Sequence, residues 1–246
     1  MLAAVPIAGA LAGFINTLAG SGSLITLPIL ILLGLPANVA NGTNRVGVVM
    51  QNVVAIATFR QHGVLDVGGT WKLVVPSVVG SVLGAQLAVD LDEALLRRII
   101  AVLMLSMIVV MFIQPDRWLQ EHAGPRKARL WVEVPLFFVI GIYGGFLQAG
   151  VGIFLIAALV LSAGFNLVSA NAAKNLMVLV FTAAALVVFI VNDQVDWLLG
   201  VLLGAGQSLG AWIAARMAVK RGAPFVRWVV IVVIVLSAGA LLADIG

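Results

Sequence analysis

Between Leu2 and Leu33 the chain runs LAAVPIAGALAGFINTLA, breaks at Gly20-Ser21-Gly22-Ser23, and resumes as LITLPILILL. How this interrupted apolar stretch is read decides the fold. A helix that crosses the ~30 Å hydrocarbon core of a bilayer needs about 20 apolar residues. At ~1.5 Å per residue the first run nearly suffices and the second does not. Serine and glycine together end a helix without leaving a charge in lipid. The same arrangement returns as Trp131–Leu147, the break Ala149-Gly150-Val151-Gly152, and the short run Ile153–Ala163.

The remaining apolar runs are Val46–Phe59, Leu73–Val89, Leu95–Ile113, Leu176–Val191, Trp197–Ala215 and Phe225–Ala243. Of 246 residues 63% are hydrophobic and 10% charged, and mean hydropathy is +1.18. A soluble domain is about a quarter charged, so this chain could not cover its surface against water. A transmembrane barrel would alternate in polarity over roughly 10-residue strands, whereas these runs are continuous. Helices are the form that satisfies the backbone in lipid. The fold class is an all-α membrane protein, a polytopic bundle of two related halves with interrupted helices. The first nineteen residues lack the positive start of a secretory signal, so they are read as part of the mature fold.

Residue matches in order along the chain support the duplication. At an offset of 132, Gly9, Gly13 and Phe14 meet Gly141, Gly145 and Phe146. At 130, Gly34, Ala40, Asn41, Asp66 and Arg97 meet Gly164, Ala170, Asn171, Asp196 and Arg227. At 126, Gly80, Gly84 and Ala85 meet Gly206, Gly210 and Ala211. The domains are therefore a first repeat over 1–114, a linker over 115–129 and a second repeat over 130–246.

Loop charges orient the halves. The stretch Gln114–Leu130 carries Arg117, Arg126, Lys127 and Arg129, and basic loops face the cytoplasm. Arg60 and Lys72 flank a loop placed on the same side, and its second-half counterpart holds Asp193 and Asp196. Arg216, Lys220 and Arg221 sit inside, opposite in character to Asp90, Asp92 and Glu93. Matched loops of opposite charge imply inverted topology. Inverted repeats with matched helix breaks point to a secondary transporter whose site lies near the membrane midplane. An anion channel of the same fold is the alternative.

An enzyme is not expected. His62 and His122 lie in loop regions without a ligand cluster or a Ser/His/Asp set, and the absence of cysteine removes disulfides and thiolate metal sites. The formal charge of +4 is spread over loops, which marks topology and not nucleic-acid binding. No cofactor or metal is expected.

The run Ala12–Pro28 resembles the opening signature of the TauE/SafE sulfite-exporter family. Gly34-Leu35-Pro36 with Ala40-Asn41-Gly42-Thr43-Asn44-Arg45 is similar to its next block, and Gly144–Gly152 with Ala170–Asn175 resembles the repeat of both. The resemblance covers essentially the whole chain. It implies a multi-pass permease of a bacterial or archaeal inner membrane that exports sulfite or an organosulfonate by alternating access. The second break departs from the pattern, with Val151 and Ile153 where the first has serines. The implied partners are a small anionic substrate and the lipid bilayer, with room for a homo-oligomer.

An anion in a low-dielectric site needs donors and positive potential. A helix N-terminus supplies both, as free amides and about half a positive charge. The short helices expected to start near Ser23 and Ile153 present such ends beside Gly20, Ser21, Gly22, Gly150 and Gly152. Asn41, Thr43, Asn44 and Arg45 begin the third segment, and Asn171, Lys174 and Asn175 begin its counterpart. Each block offers one cation and several amides that could approach from opposite membrane faces. The structural alternative is that Arg45 and Lys174 snorkel to the interfaces while the asparagines cap helices. Asn16 and Gln148, aligned just before the breaks, complete the candidate substrate site. Gln51, Asn52 and Gln207 read as packing polars. The pairs Gly9/Gly13 and Gly80/Gly84 read as close helix contacts. Trp71, Trp118, Trp131 and Trp197 read as interfacial belts, and Asp66, Asp196 and Glu133 as solvated or capping residues near segment ends.

Overall fold

The computed structural model describes residues 4–65, 67–112 and 130–245, and there the regular structure is all helical. The helices are α1 Ala4–Ala19, α2 Ser23–Leu32, α3 Ala37–Gln61, α4 Val67–Asp90, α5 Glu93–Phe112, α6 Leu130–Phe146, α7 Val151–Leu161, α8 Leu167–Val191 and α9 Trp197–Ile245. In α9 the backbone leaves helical geometry at Gly222, with φ 70° and ψ −165°. Among the described residues three helical stretches are long and apolar enough to cross a membrane: Thr70–Asp90, Leu167–Val191 and Trp197–Val229. The expected linker over 115–129, with Trp118 and His122, and also Asp66, lie outside the described residues.

Two boundaries differ from the sequence reading for one reason. The third and eighth helices start at Ala37 and Leu167, not at the apolar runs from Val46 and Leu176. The polar blocks therefore lie inside helices, in their second and third turns. An apolar-run criterion stops at buried polar residues even where the helix continues. The second break covers 147–150, so Gly152 is helical, and Ser23 is the first residue of α2.

Helix directions follow from close contacts. Gly9 and Gly13 of α1 lie against Leu203 and Gln207 of α9, and Gly206 and Gly210 lie against the carbonyls of Pro6 and Ala10. Helices α1 and α9 thus run parallel. In the same way Gly80 and Gly84 of α4 meet the carbonyls of Phe138 and Ile142, while Gly141 and Gly145 of α6 meet those of Ser77 and Ser81. Without a Cβ, backbones can approach to this range, and in lipid such contact is a main source of helix association. The packing role of these glycines is what the sequence suggested.

Helix α3 runs parallel to α9, with Val46 beside Gly200 and Met50 beside Gly204. Both α1 and α3 therefore point the same way, and α2 must turn back between them. It does: Val5 at the start of α1 packs in one cluster with Leu30 near the end of α2 and Leu35 just beyond it. In the other half, the Tyr143 and Phe154 rings meet edge to face at 5.7 Å across the break. Farther down, Leu136 of α6 and Leu161 of α7 line one apolar recess. Each short helix re-enters. The molecule has two re-entrant hairpins, α1–α2 and α6–α7.

The start of α3 meets the end of α8, where Gly42 and Arg45 pack on Phe189, so these two long helices are antiparallel. Tracing the chain with these directions puts the turns at 33–36, 91–92 and 192–196 at one end of the bundle. The turns at 62–65 and 162–166, the start of α6 and the bend at Gly222 are at the other. Asp90, Asp92, Glu93 and Asp193 gather at the first end, and Arg60, Lys72, Arg216, Lys220 and Arg221 at the second. Trp71, Trp131 and Trp197 are 53%, 77% and 54% exposed near helix starts, as a belt requires.

Candidate functional site

The tips of the two hairpins cross. Gly20 at the first tip and Gly150 at the second are left-handed, with φ 76° and 74°. Glycine takes that conformation without the penalty a side chain incurs. The Gly152 amide donates to the Gly20 carbonyl at 3.4 Å. A Cβ on either Gly20 or Gly152 would overlap the other's Cα. Gln148, left-handed at φ 68° without being glycine, donates from Nε2 to Thr182 Oγ1 at 2.8 Å.

Each tip carries the buried C-terminus of a helix, and a helix C-terminus leaves carbonyls without intrahelical partners. In this fold the opposite half satisfies them. Arg45 of α3 donates from Nη1 to the Gly144 carbonyl at 3.1 Å and from Nη2 to that of Gly145. Asn41 Nδ2 donates to the Phe146 carbonyl at 2.7 Å. Conversely, Lys174 of α8 donates from Nζ to the carbonyls of Asn16 at 3.0 Å and Thr17 at 2.7 Å, and Asn175 Nδ2 reaches Thr17 at 3.2 Å. The cations of each half thus cap the broken helix of the other.

Neither cation snorkels. Arg45 is 0% and Lys174 1% exposed. They lie eight and seven residues inside their helices, ~12 and ~10 Å deep at ~1.5 Å per residue, against a half-thickness of ~15 Å. Every partner is neutral: carbonyls, the Asn41 amide at 3.4 Å and the Phe189 ring, whose centroid lies 4.7 Å from the Arg45 guanidinium. Interaction with the helix C-termini offsets part of the cost of burying these charges. The two cations do not occupy equivalent positions of the repeat. The offset that pairs Asn41 with Asn171 pairs Arg45 with Asn175 and Asn44 with Lys174.

The N-termini at the tips are uncapped. Neither Gly22 before α2 nor Gly150 before α7 offers a side-chain cap. Cations neutralise the negative helix ends and no side chain caps the positive ones, although the Val151, Gly152 and Ile153 amides donate to the carbonyls of Gln148, Gly20 and Gly150; the crossing point is electropositive. Asn44 braces the first of these ends, donating to Ser23 Oγ at 3.0 Å and accepting from Thr26 Oγ1 at 2.6 Å. Thr43 instead accepts from the Asp196 amide at 2.8 Å, and Asp196 accepts from the Leu199 amide. Asp196 is thus a cap for α9, one of its two expected roles.

All fifteen candidate residues lie at or within one helical turn of the two tips or in the blocks that hold them. Asn16 is 8% exposed, and Ser21, Ser23, Gln148 and Asn171 are buried at 2% or less. Several buried polar atoms have no partner within the protein: Thr17 Oγ1, Ser21 Oγ, Arg45 Nε, Gln148 Oε1 and both amide atoms of Asn171. The sequence reading undervalued three more. Gln51 and Gln207 are 1% and 0% exposed with both amide atoms unpartnered, as is Asn52 Oδ1. The Gln207 side chain lies over Gly47, one turn from Gln51. An alignment of Gln207 with its repeat mate Ser81 would have hinted only at polarity. Glu133 loses one of its two expected roles. It is 3% exposed in the first turn of α6, not solvated.

A family model described as "Sulfite exporter TauE/SafE" matches residues 5–241. The chain is 29% identical over 245 residues to "Probable membrane transporter protein ORF9" of Sinorhizobium sp, covering 99% of this chain and 93% of that one. It is 28% identical over 246 residues to a "Probable membrane transporter protein" of Haemophilus influenzae, covering 100% and 96%. It is 29% identical over 239 residues to "Probable membrane transporter protein YfcA" of Escherichia coli K12, covering 95% and 87%. No solved structure matches.

Proposed function

The chain belongs to the sulfite exporter TauE/SafE family, and from that premise we propose that it is a secondary transporter that exports a small anion, sulfite or an organosulfonate, by alternating access. The observation that carries this reading is the electropositive crossing of the two hairpin tips. Two buried cations with neutral partners and two uncapped helix N-termini converge there. Among the described side chains the one buried carboxylate is Glu133, eleven residues and ~17 Å along α6 from Gly144. A cation substrate would find no counter-charge at the tips. An oxyanion finds donors and potential.

The reading extends to organisation. Residues 1–114 and 130–246 are two inverted repeats joined by a cytoplasmic linker. The exchange of partners supports this, since α1 packs on α9 as α6 packs on α4. So does the antiparallel pairing of α3 with α8, because equivalent helices that run oppositely imply a two-fold axis in the membrane plane. The basic end of the bundle faces the cytoplasm of a bacterial or archaeal inner membrane. The backbone contact of Gly20 with Gly152 holds the two tips together at the crossing, which favours a carrier over an open pore.

The test is counterflow into liposomes bearing the purified protein, with sulfite, sulfoacetate, sulfate and an amino acid as competing solutes. The reading predicts exchange of sulfite or sulfoacetate and none of the amino acid. Exchange of the amino acid alone would contradict it.

A further inference from the structure

The two polar blocks are related by the repeat yet differ in what they leave unused. Resting on the transporter reading above, we propose that the anion seats on one side of the crossing only, between the first tip at Thr17 and Ser21 and Asn171 and Lys174 of α8, and that the Arg45 block is a structural clasp.

In the Arg45 block nearly every polar group is committed. Asn41 and Asn44 each donate and accept, and the Thr43 hydroxyl holds the α8–α9 turn. The Arg45 fork is spent on two carbonyls, and only Nε lacks a partner. A guanidinium is a rigid planar fork, and once both its ends are bonded it cannot re-aim.

The other block is different. Asn171 is 0% exposed, and neither its amide nitrogen nor its amide oxygen has a partner. A fully buried amide with no hydrogen bond is destabilising unless something else meets it. Asn171 lies one turn from Asn175, which bonds both the Asn171 carbonyl and the Thr17 carbonyl, so that face of α8 looks onto the first tip. There the hydroxyls of Thr17 and Ser21 are also unpartnered. Lys174 has three N–H donors and uses two, on Asn16 and Thr17, which leaves one. Its charge rides on a flexible stem, so it can turn to an arriving anion. The α2 ladder begins with the Leu24 amide donating to Ser21, so the amides before it are outside the helix bonds. A small oxyanion needs several donors around one centre. The third Lys174 hydrogen, the Asn171 amide and the two hydroxyls supply them from two elements that move apart if the first hairpin tilts.

The test pairs the repeat mates. Sulfite binding to the purified full-length protein is titrated calorimetrically, and Tm is measured for the same samples, with methanesulfonate as a second probe. Asn171→Ala should weaken sulfite binding about 10-fold or more, which is ~1.4 kcal/mol, with Tm unchanged. Asn41→Ala should lower Tm or fail to accumulate, while any folded fraction binds sulfite as the parent does. Equal weakening of binding by both variants would overturn the one-sided seat in favour of a symmetric one. A lowered Tm or failure to accumulate for Asn171→Ala, with unchanged affinity in what folds, would make Asn171 structural and also overturn it. A parent protein that binds neither probe would instead strike at the transporter reading, which separates the two failures.

Discussion

Gly20 and Gly152, 132 residues apart in the chain, touch through their backbones where the two hairpin tips cross, with the Gly152 amide 3.4 Å from the Gly20 carbonyl. Gly152 is helical, so alanine there meets no backbone penalty. The added methyl would instead overlap the Gly20 Cα and crowd the Lys174 side chain. Gly152→Ala is expected to cost ~1–3 kcal/mol, as overpacking of a close contact does. Gly20→Ala should cost more, since it adds ~1–2 kcal/mol for its left-handed backbone. Thermal melts of the two variants beside the parent measure both, and a Gly152→Ala protein as stable as the parent would contradict the crossing.

The parallel pairs α1–α9 and α4–α6 predict matched sensitivity. Gly13→Leu and Gly145→Leu each push a side chain into the facing helix backbone, at Gln207 and at Ser81. Both should abolish accumulation of folded protein. Gly63→Ala, where nothing lies within 4 Å, should cost only its left-handed backbone term. Expression and detergent melts compare the three, and tolerance of leucine at one glycine alone would break the equivalence of the pairs.

Arg45→Gln should unfold the second tip before it changes any affinity. It strips the carbonyls of Gly144 and Gly145 of their donors, and each buried polar group left unpaired costs ~1–3 kcal/mol. Arg45→Lys keeps the charge and loses the fork, so its Tm should fall between parent and glutamine variant. A glutamine variant that melts with the parent would remove the clasp.

Much of this was legible in the sequence, and the part that was not shares one cause. Composition and run length determined an all-helical membrane protein, and the glycine-serine breaks marked the tips. What composition could not give was the partner of each polar block. Asn41 and Arg45 looked like the start of a helix because apolar runs end there, yet they sit in its second and third turns and serve carbonyls about a hundred residues away. The direction of α2 was equally hidden. Ten apolar residues after a break are compatible with continuing or turning back, and only the packing of Val5 against Leu30 decides. Gln51 and Gln207 were undervalued because an amide in an apolar helix reads as glue unless its partner is visible.

The opposed charges of the bundle ends predict sidedness. The chain has no cysteine, so single cysteines report without background. His62→Cys should be shielded from a membrane-impermeant maleimide added to intact cells, while Asp92→Cys and Asn192→Cys should react. All three label in opened cells. Labelling of His62→Cys and its repeat mate Asn192→Cys from the same side would contradict the inverted arrangement.

The central claim is that a buried cation at the crossed tips draws in an anion, and Lys174→Gln tests it most directly. Glutamine keeps hydrogen-bond donors for the Asn16 and Thr17 carbonyls while it removes the charge. Loss of one partner of a buried charge pair costs ~3–5 kcal/mol and ~1.4 kcal/mol is tenfold, so sulfite should bind about 100-fold more weakly, or worse. The measurement is a calorimetric sulfite titration of parent and variant at two salt concentrations, with Tm recorded for each. The account predicts a folded variant with that loss at both salt levels, since a buried charge is poorly screened. A folded Lys174→Gln protein that binds sulfite as the parent does would contradict it.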